Sequence, residues 1–553
     1  MVQRKMTFRK SRGILPRDAV LLAPRWRWDV AVSERPSIAK THPDIIRTLR
    51  ASAAGVALAG ILNVMPQPVI AQQAGASGAD VPAFASGMIN HMQAMRRFKD
   101  PDPSVQSTPI VIPRFEPDPD PSGAIATFQP GGATFTANNA FFQNLGTNGR
   151  TCFTCHQPQN GWGVSAASVA DRFEASAGTD PIFRLVDGAT CPSANVSTLQ
   201  AKRQAYKLLT DRGLIRIGLP MPAPAILQFA VTSVNDPYQC TTNPATGLTS
   251  PTSGIVSVYR RPLPSANLGF LSTIMWDGRE PSLASQAVDA TLGHAQANSP
   301  PNPAQQAEIV AFESGVFTAQ VFDKKAGILH EDGALGGPVA LSLQLGTFFI
   351  GVNDPLGQNP KGTPFNPNIF DVYRPWLGLF GRDDDAQYRQ SIARGEEVFN
   401  TTNINITGVA GLNDALKVTS IPGFCGTCHD TPNVGNHSVK APLNIGIANA
   451  GANSPPALDI SGLPVFTLQC TQGPLAGQTY VVTDPGRALI SGNCADIGKL
   501  KGPILRGLAA RAPYFHNGSA ATLLDVVNFY DQRFGIGFTS RQKRDLINFL
   551  NAL

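Results

Sequence analysis

The sequence predicts a mainly α, loop-rich fold made of two similar domains, the first of them heavily expanded. Three observations predict it. A C-x-x-C-H pentapeptide occurs twice, as Cys152-Phe153-Thr154-Cys155-His156 and Cys425-Gly426-Thr427-Cys428-His429. Helical patterning precedes the second copy, and an amphipathic helix closes the chain. The 553 residues include 52 Gly and 46 Pro, and only 15% are charged where about 25% is usual, yet 42% are hydrophobic. That composition describes ordered loops packed on apolar surface, not disorder.

Taken in order, residues 1–50 hold 12 Lys/Arg against 4 Asp/Glu, and residues 51–71 are uncharged. The formal net charge of +6 therefore belongs to this leader; the remainder is slightly acidic, and nucleic-acid binding has no support. Arg47 and Arg50 precede an apolar run from Ala51 to Ile61, and Val69-Ile70-Ala71 offers a small-residue cleavage site. Residues 1–71 thus read as a leader with a signal peptide. Pro66 and Pro68 interrupt a stretch already too short to span a bilayer, so no transmembrane anchor is expected in the mature form. Residues 72–130 read as an extended lead-in, rich in Pro, Asp and Ser.

The first domain is expected over 131–382 and the second over 383–553. Asn138–Leu145 suits a short helix before the first pentapeptide, and helical patches fall at Leu199–Leu209 and Leu283–Leu292. In the second domain Asp383, Asp384 and Asp385 mark a helix N-terminus. Ile392, Gly395 and Phe399 share one face there, and Gly395 would let another helix cross closely. Thr539 and Gln542 form a capping box before the stripe Leu546, Phe549, Leu550 and Leu553. A helix before C-x-x-C-H and a terminal helix crossing it is the plan of a class I cytochrome c domain.

The pentapeptides themselves are attachment sites for c-type haem. The thiols of Cys152 and Cys155, and of Cys425 and Cys428, add to the vinyl groups, while His156 and His429 reach the iron. Zinc would need a second ligand pair at finger-like spacing, which neither copy has. Two covalent haems are expected. Haem attachment and the four remaining cysteines agree on a periplasmic or secreted address, where disulfides form. The simplest pairing is Cys191–Cys240 with Cys470–Cys494; four cysteines allow three connectivities.

Three stretches carry a family resemblance: the two pentapeptides; Trp276-Asp277-Gly278-Arg279 followed by Gln286; and Leu505-Arg506-Gly507-Leu508-Ala509 running into Ala512-Pro513-Tyr514-Phe515-His516-Asn517-Gly518. Together they resemble the bacterial dihaem cytochrome c peroxidase superfamily, which includes methylamine-dehydrogenase maturation enzymes and the rubber oxygenases. The resemblance implies two facing cytochrome c domains with a tryptophan between the haems, a place Trp276 takes by motif. Family peroxidases also bind calcium between the domains, but no carboxylate cluster stands out for it.

What each iron does depends on its sixth position. No Met follows Met275, so the second haem cannot take one from its own domain. The resemblance points to His516 as its ligand, with Tyr514 as rival, since the maturation enzymes use a tyrosine. His437 is too close to His429 to loop around the porphyrin. Residues 157–275 contain no histidine, where family peroxidases carry a distal one. Met221 is an apolar wall residue or a ligand. The first haem is therefore expected to be open on that side, in an apolar pocket. The family's acid-base Glu is also missing; His294 stands in its window, as proton shuttle or structural residue, and Gln286 matches a family Gln.

These departures look like the rubber oxygenases, which implies O2 activation beside an apolar alkene-type small molecule or polymer at the first haem, with electrons relayed through the second. The alternatives are a peroxidase reducing H2O2 with electrons from a small redox protein, and a dihaem electron carrier without substrate chemistry.

Overall fold

Two helices cross where a glycine removes the side chain between them. Asp384–Thr401, capped by the Asp383 carboxylate on Ala386 N, meets the C-terminal helix Ser540–Asn551 at Gly395. A Cβ added at Gly395 would sit 2.0 Å from the Asp545 carbonyl oxygen. Ile392, Phe399, Leu546, Phe549 and Leu550 are buried around the crossing, and Asp545 joins the helices through Ser391 and Arg394. Thr539 and Gln542 form the reciprocal cap at the terminal helix. In this computed structural model the described residues are 109–240, 255–381 and 383–553, and all fall within one unit spanning Gly78–Leu553. The leader, residues 72–108 of the lead-in and the 382 side of the expected domain border lie outside them.

The first half has its own aromatic core. Phe141, Phe142, Phe153, Trp162 and Phe312 pack ring to ring beside the helices Leu283–Gly293 and Pro303–Gly315. The stretch expected as a helix before Cys152 forms two 3-10 turns, Thr136–Asn138 and Ala140–Phe142. The patch at 199–209 forms two short helices, Leu199–Ala205 and Lys207–Arg212.

The fold is mixed, not mainly α. Thirteen strands in five antiparallel sheets occur among the described residues. Gly123–Phe128 pairs with both Phe115–Pro119 and Phe317–Asp323. Val465–Cys470 pairs with Thr479–Val482 and, across more than 200 residues, with Phe229–Asn235. Ile215–Pro220 pairs with Ile255–Arg260. Most of these strands hide from a sequence reading. Gly123–Phe128 is buried on both faces and so shows no alternation, and the partners of others lie far away in sequence.

Cys191 is bonded to Cys240 and Cys470 to Cys494, the simplest of the three connectivities; the four pentapeptide cysteines are free. Among the described residues no helix is long and apolar enough to cross a membrane. Nor does any group of three or more His, Cys, Asp or Glu residues stand ready to hold a metal ion there.

Candidate functional site

The two pentapeptides fold alike because their sequences share a threonine. Cys152–Thr154 and Cys425–Thr427 are 3-10 turns. In each, the third-position Thr hydroxyl accepts the N–H three residues back, Thr154 from Thr151 and Thr427 from Phe424, both at 3.0 Å. Each following histidine is then fixed through Nδ1, which donates to a carbonyl six residues on: His156 to Trp162 O at 2.9 Å, His429 to Gly435 O at 2.7 Å. That tautomer leaves Nε2 with its lone pair. Burial holds both imidazoles neutral, with pKa values lowered to about 4. Burial likewise keeps the thiols protonated, Cys425 and Cys428 being pushed up to about 12.

Each turn walls a large cavity. The first, of about 1580 Å³ including its mouth, is lined by Cys152, Cys155 and His156, with Ile215, Leu263 and Gln286 among the facing residues. The second, of about 1450 Å³, is lined by Cys425, Cys428 and His429, with His437, Tyr514 and Tyr530. Trp276 lines both. Its indole N–H donates to Arg261 O at 2.8 Å, which fixes the ring between them.

The junction around Trp276 is built twice, 240 residues apart. Ile274 bridges Glu280 as Tyr514 bridges Ala520. Met275 and Phe515 share a left-handed backbone (φ 64° and 65°), as do Gly278 and Gly518 (φ 68° and 63°). Helices Leu283–Gly293 and Leu523–Phe534 then start at the same offset. The two turns interlock: Lys501 N donates to Trp276 O at 2.9 Å, and Arg261 N to His516 O at 2.6 Å. Trp276 and His516 are thus equivalent positions, with ring centroids 6.1 Å apart.

This register pairs residues of the two cavity walls. His429 packs against Phe399, in the cluster with Phe549 and Leu550. Tyr530 belongs to a different wall of the second cavity, with Trp276, Phe515 and Phe529. Its counterpart in the first half is Ala290, which lines the first cavity and offers no ligand atom.

His516 does not line the second cavity. The repeated turn that aims Trp276 between the cavities aims His516 into a buried ion cluster. Arg260 bonds Asp277 and Asp484 there, and His516 Nε2 lies 3.8 Å from Asp484. Neither ring nitrogen of His516 has a hydrogen-bond partner, and burial lowers its pKa to about 4. The Tyr514 hydroxyl is engaged with Leu508 O at 3.0 Å. His437 lies with Nδ1 3.3 Å from Asp430. Met221 packs with the hydrophobic cluster of the Phe229–Asn235 sheet and does not line the first cavity. Gln286 and His294 do line it. His294 is not alone: Asp187 lies 2.6 Å from its Nδ1.

The walls between the cavities carry cations without carboxylate partners. Arg261, Lys501 and Arg506 are buried, Arg511 nearly so, and all four line the first cavity; none makes an ion pair among the described residues. Arg261 and Arg511 donate only to backbone carbonyls, and Arg506 Nη1 has no partner. Burial lowers Lys501 to about 8 and Arg261 to about 9. Uncompensated buried charge is costly and calls for anionic groups within the cavities. The two propionates of a haem are such groups. Paired thiols, a bare neutral imidazole Nε2, apolar walls and unpaired cations form the donor set that a c-type haem requires.

Sequence reading missed Tyr530, Asp187 and the four cations. The 240-residue register would have found Tyr530. Asp187 had no local signal, since it meets His294 only through the fold.

No protein-family model matches the chain. It is 32% identical over 149 residues to cytochrome-c peroxidase IdrP2 of Denitromonas iodatirespirans, covering 25% of this chain and 38% of that protein. It is 35% identical over 88 residues to IdrP1 of the same organism and 37% over 81 residues to IdrP1 of Pseudomonas sp. (strain SCT), covering 23% and 21% of those proteins. The chain thus spans well under half the length of these relatives. A solved MauG-like protein associated with microbial copper homeostasis aligns over 55% of this chain and 75% of its own, at 17% identity and a TM-score of 0.29. In sequence, this chain is related over part of its length to proteins named cytochrome-c peroxidase.

Proposed function

We propose that the chain is an exported two-haem oxidoreductase of the cytochrome c peroxidase kind, reducing H2O2 in the first cavity with electrons from a small redox protein. The carrying observation is the pair of cavities, each with its own C-x-x-C-H turn and both lined by Trp276. The names of the relatives support peroxide as oxidant. Two disulfides support an oxidising compartment.

Cys152, Cys155 and His156 would hold one haem, Cys425, Cys428 and His429 the other. Bound there, these groups supply one-electron chemistry and, where the sixth position is open, peroxide binding. The chain's residues do the rest. Trp162 and Gly435 carbonyls orient the two imidazoles. Arg261, Lys501, Arg506 and Arg511 neutralise propionates and exclude water from the junction. Ala290, at the position matching Tyr530, would offer the first haem no ligand atom, and Gln286 would offer an amide to a small ligand bound in that cavity. Tyr530, which lines the second cavity where His516 does not, would hold the second haem together with His429, and Trp276, which lines both cavities, would carry electrons between them. Two electrons and two protons convert one H2O2 to two waters.

The apolar lining of the first cavity by Ile215, Ile217, Leu263, Leu271 and Leu283 favours one second reading, an oxygenase acting on an apolar alkene. The test is direct. Purified protein should contain two covalent haems, one high-spin and one low-spin, and should consume H2O2 with reduced small cytochrome c. Trp276→Phe should keep both spectra and cut turnover at least tenfold. Two low-spin haems and no turnover would overturn the peroxidase. O2 uptake with an apolar alkene and no added donor would favour the oxygenase instead.

A further inference from the structure

We infer that Asp187 and His294 form a proton-transfer dyad for the first cavity, His294 moving the proton and Asp187 acting as its positioning residue. This rests on the reading of that cavity as an open haem site.

The geometry carries the inference. Asp187 Oδ2 lies 2.6 Å from His294 Nδ1. A buried carboxylate accepting from Nδ1 fixes the tautomer that leaves Nε2 free, the arrangement of an oriented acid-base histidine. Arg150 locks the pair. Its guanidinium donates to Asp187 Oδ1 at 2.6 Å and to the His294 carbonyl at 3.2 Å, and it is anchored on Pro181 O and Ile182 O. Arg150 and Asp187 are buried, whereas the His294 side chain is 38% exposed while also lining the cavity. The imidazole thus keeps accessible surface at the cavity wall while its Nδ1 side is held by buried groups.

Its place on the helix fits. Gln286, Ala290 and His294 stand at i, i+4 and i+8 and all line the first cavity. Ala290 occupies the register position of Tyr530, so His294 stands one turn beyond the vacant ligand position. The second cavity has Phe534 at the matching place, which transfers no proton. The dyad is thus confined to the first cavity.

The charged and titratable groups around His294 are Asp187 and Arg150, with His156, Arg260, Arg261, Arg279, Glu313, Lys501, Arg506 and Arg511 elsewhere on the cavity wall; Glu313 is held by Ser265. Burial raises the Asp187 carboxyl, but the His294 and Arg150 contacts outweigh it and hold it below its usual value, hence ionised. In the reaction His294 Nε2 takes a proton from bound H2O2. It returns that proton to the departing oxygen as the O–O bond breaks, and this oxygen leaves as water. The two electrons come from the reduced redox protein, and the two protons that make the second water come from solvent. Asp187 remains a carboxylate throughout and balances the transient imidazolium.

Cyanide tests this without turnover. HCN must give up its proton as the carbon binds ferric iron, so a base in the cavity accelerates association. In the two-haem holoprotein, His294→Gln should slow cyanide association about 100-fold, in the range of one general base. The ferric spectrum before cyanide should be unchanged. Asp187→Asn should slow it too, and Asp187→Glu should recover most of the rate. His294→Asn serves as a second variant if Gln impairs folding. Equal association rates in wild type and His294 variants would overturn the dyad. A wild-type rate in Asp187→Asn would overturn the positioning role. Failure of the wild-type protein to bind cyanide at all would instead overturn the open first site on which the proposal rests.

Discussion

Tyr530 and His516 sit differently from what the sequence suggests. Both lie in the segment after the second pentapeptide, and the histidine is the more obvious ligand. Yet His516 faces Asp484 and Trp276, while Tyr530 lines the second cavity. Tyr530→Phe should therefore convert the second haem from low to high spin in the absorption spectrum, and His516→Gln should leave it low spin. His516 should show itself through stability. Its pKa falls from 6.5 to about 4 because burial penalises the imidazolium, with Arg260 opposing and Asp484 favouring the charge. The unfolded chain then binds more protons between these values, so stability rises with pH across that window. Acidification from pH 7 to 4 should cost about 3 kcal/mol from this residue. Urea unfolding at several pH values should show that slope reduced in His516→Gln.

At the scale of elements, the helix crossing at Gly395 was legible because a lone glycine on an apolar helical face has few other uses. The contact confirms how little room exists: a methyl would meet the Asp545 carbonyl and the Phe549 Cβ. Gly395→Ala should destabilise by about 1–3 kcal/mol despite its better helix propensity, measured as a lowered thermal midpoint. The capping box at Thr539 was equally legible, being written in four adjacent residues. Strand pairing was not. Phe229–Asn235 finds its partner, Val465–Cys470, on the far side of the second pentapeptide, and nothing local announces it.

Across the whole molecule, the Cys470–Cys494 bond ties the end of that long-range sheet to the turn Cys494–Asp496. Closing a short loop in the unfolded chain, it should contribute about 2–4 kcal/mol. Cys470→Ser with Cys494→Ser should lower the unfolding free energy by that amount, read from denaturant titration, while leaving both haem spectra intact. Haem occupancy should matter more widely. With Arg261, Lys501, Arg506 and Arg511 lining the first cavity and making no ion pair among the described residues, chain lacking haem should unfold at lower denaturant than loaded chain.

The sequence by itself determined the two C-x-x-C-H turns. Cys-x-Thr-Cys-His carries its own turn, its own threonine cap and its own histidine, so both proximal sites could be read from five residues. It also marked Trp276, because a motif travels with its neighbours. Only the tertiary structure decided which distant residues share a cavity with each histidine. The far wall of each cavity comes from a helix more than 100 residues along the chain, and the register of that helix puts Ala290 on one wall and Tyr530 on the other. The same holds for Asp187 and His294, 107 residues apart and joined by one 2.6 Å contact. Attachment is local in the chain and legible there; the opposite wall is a long-range contact, set by packing.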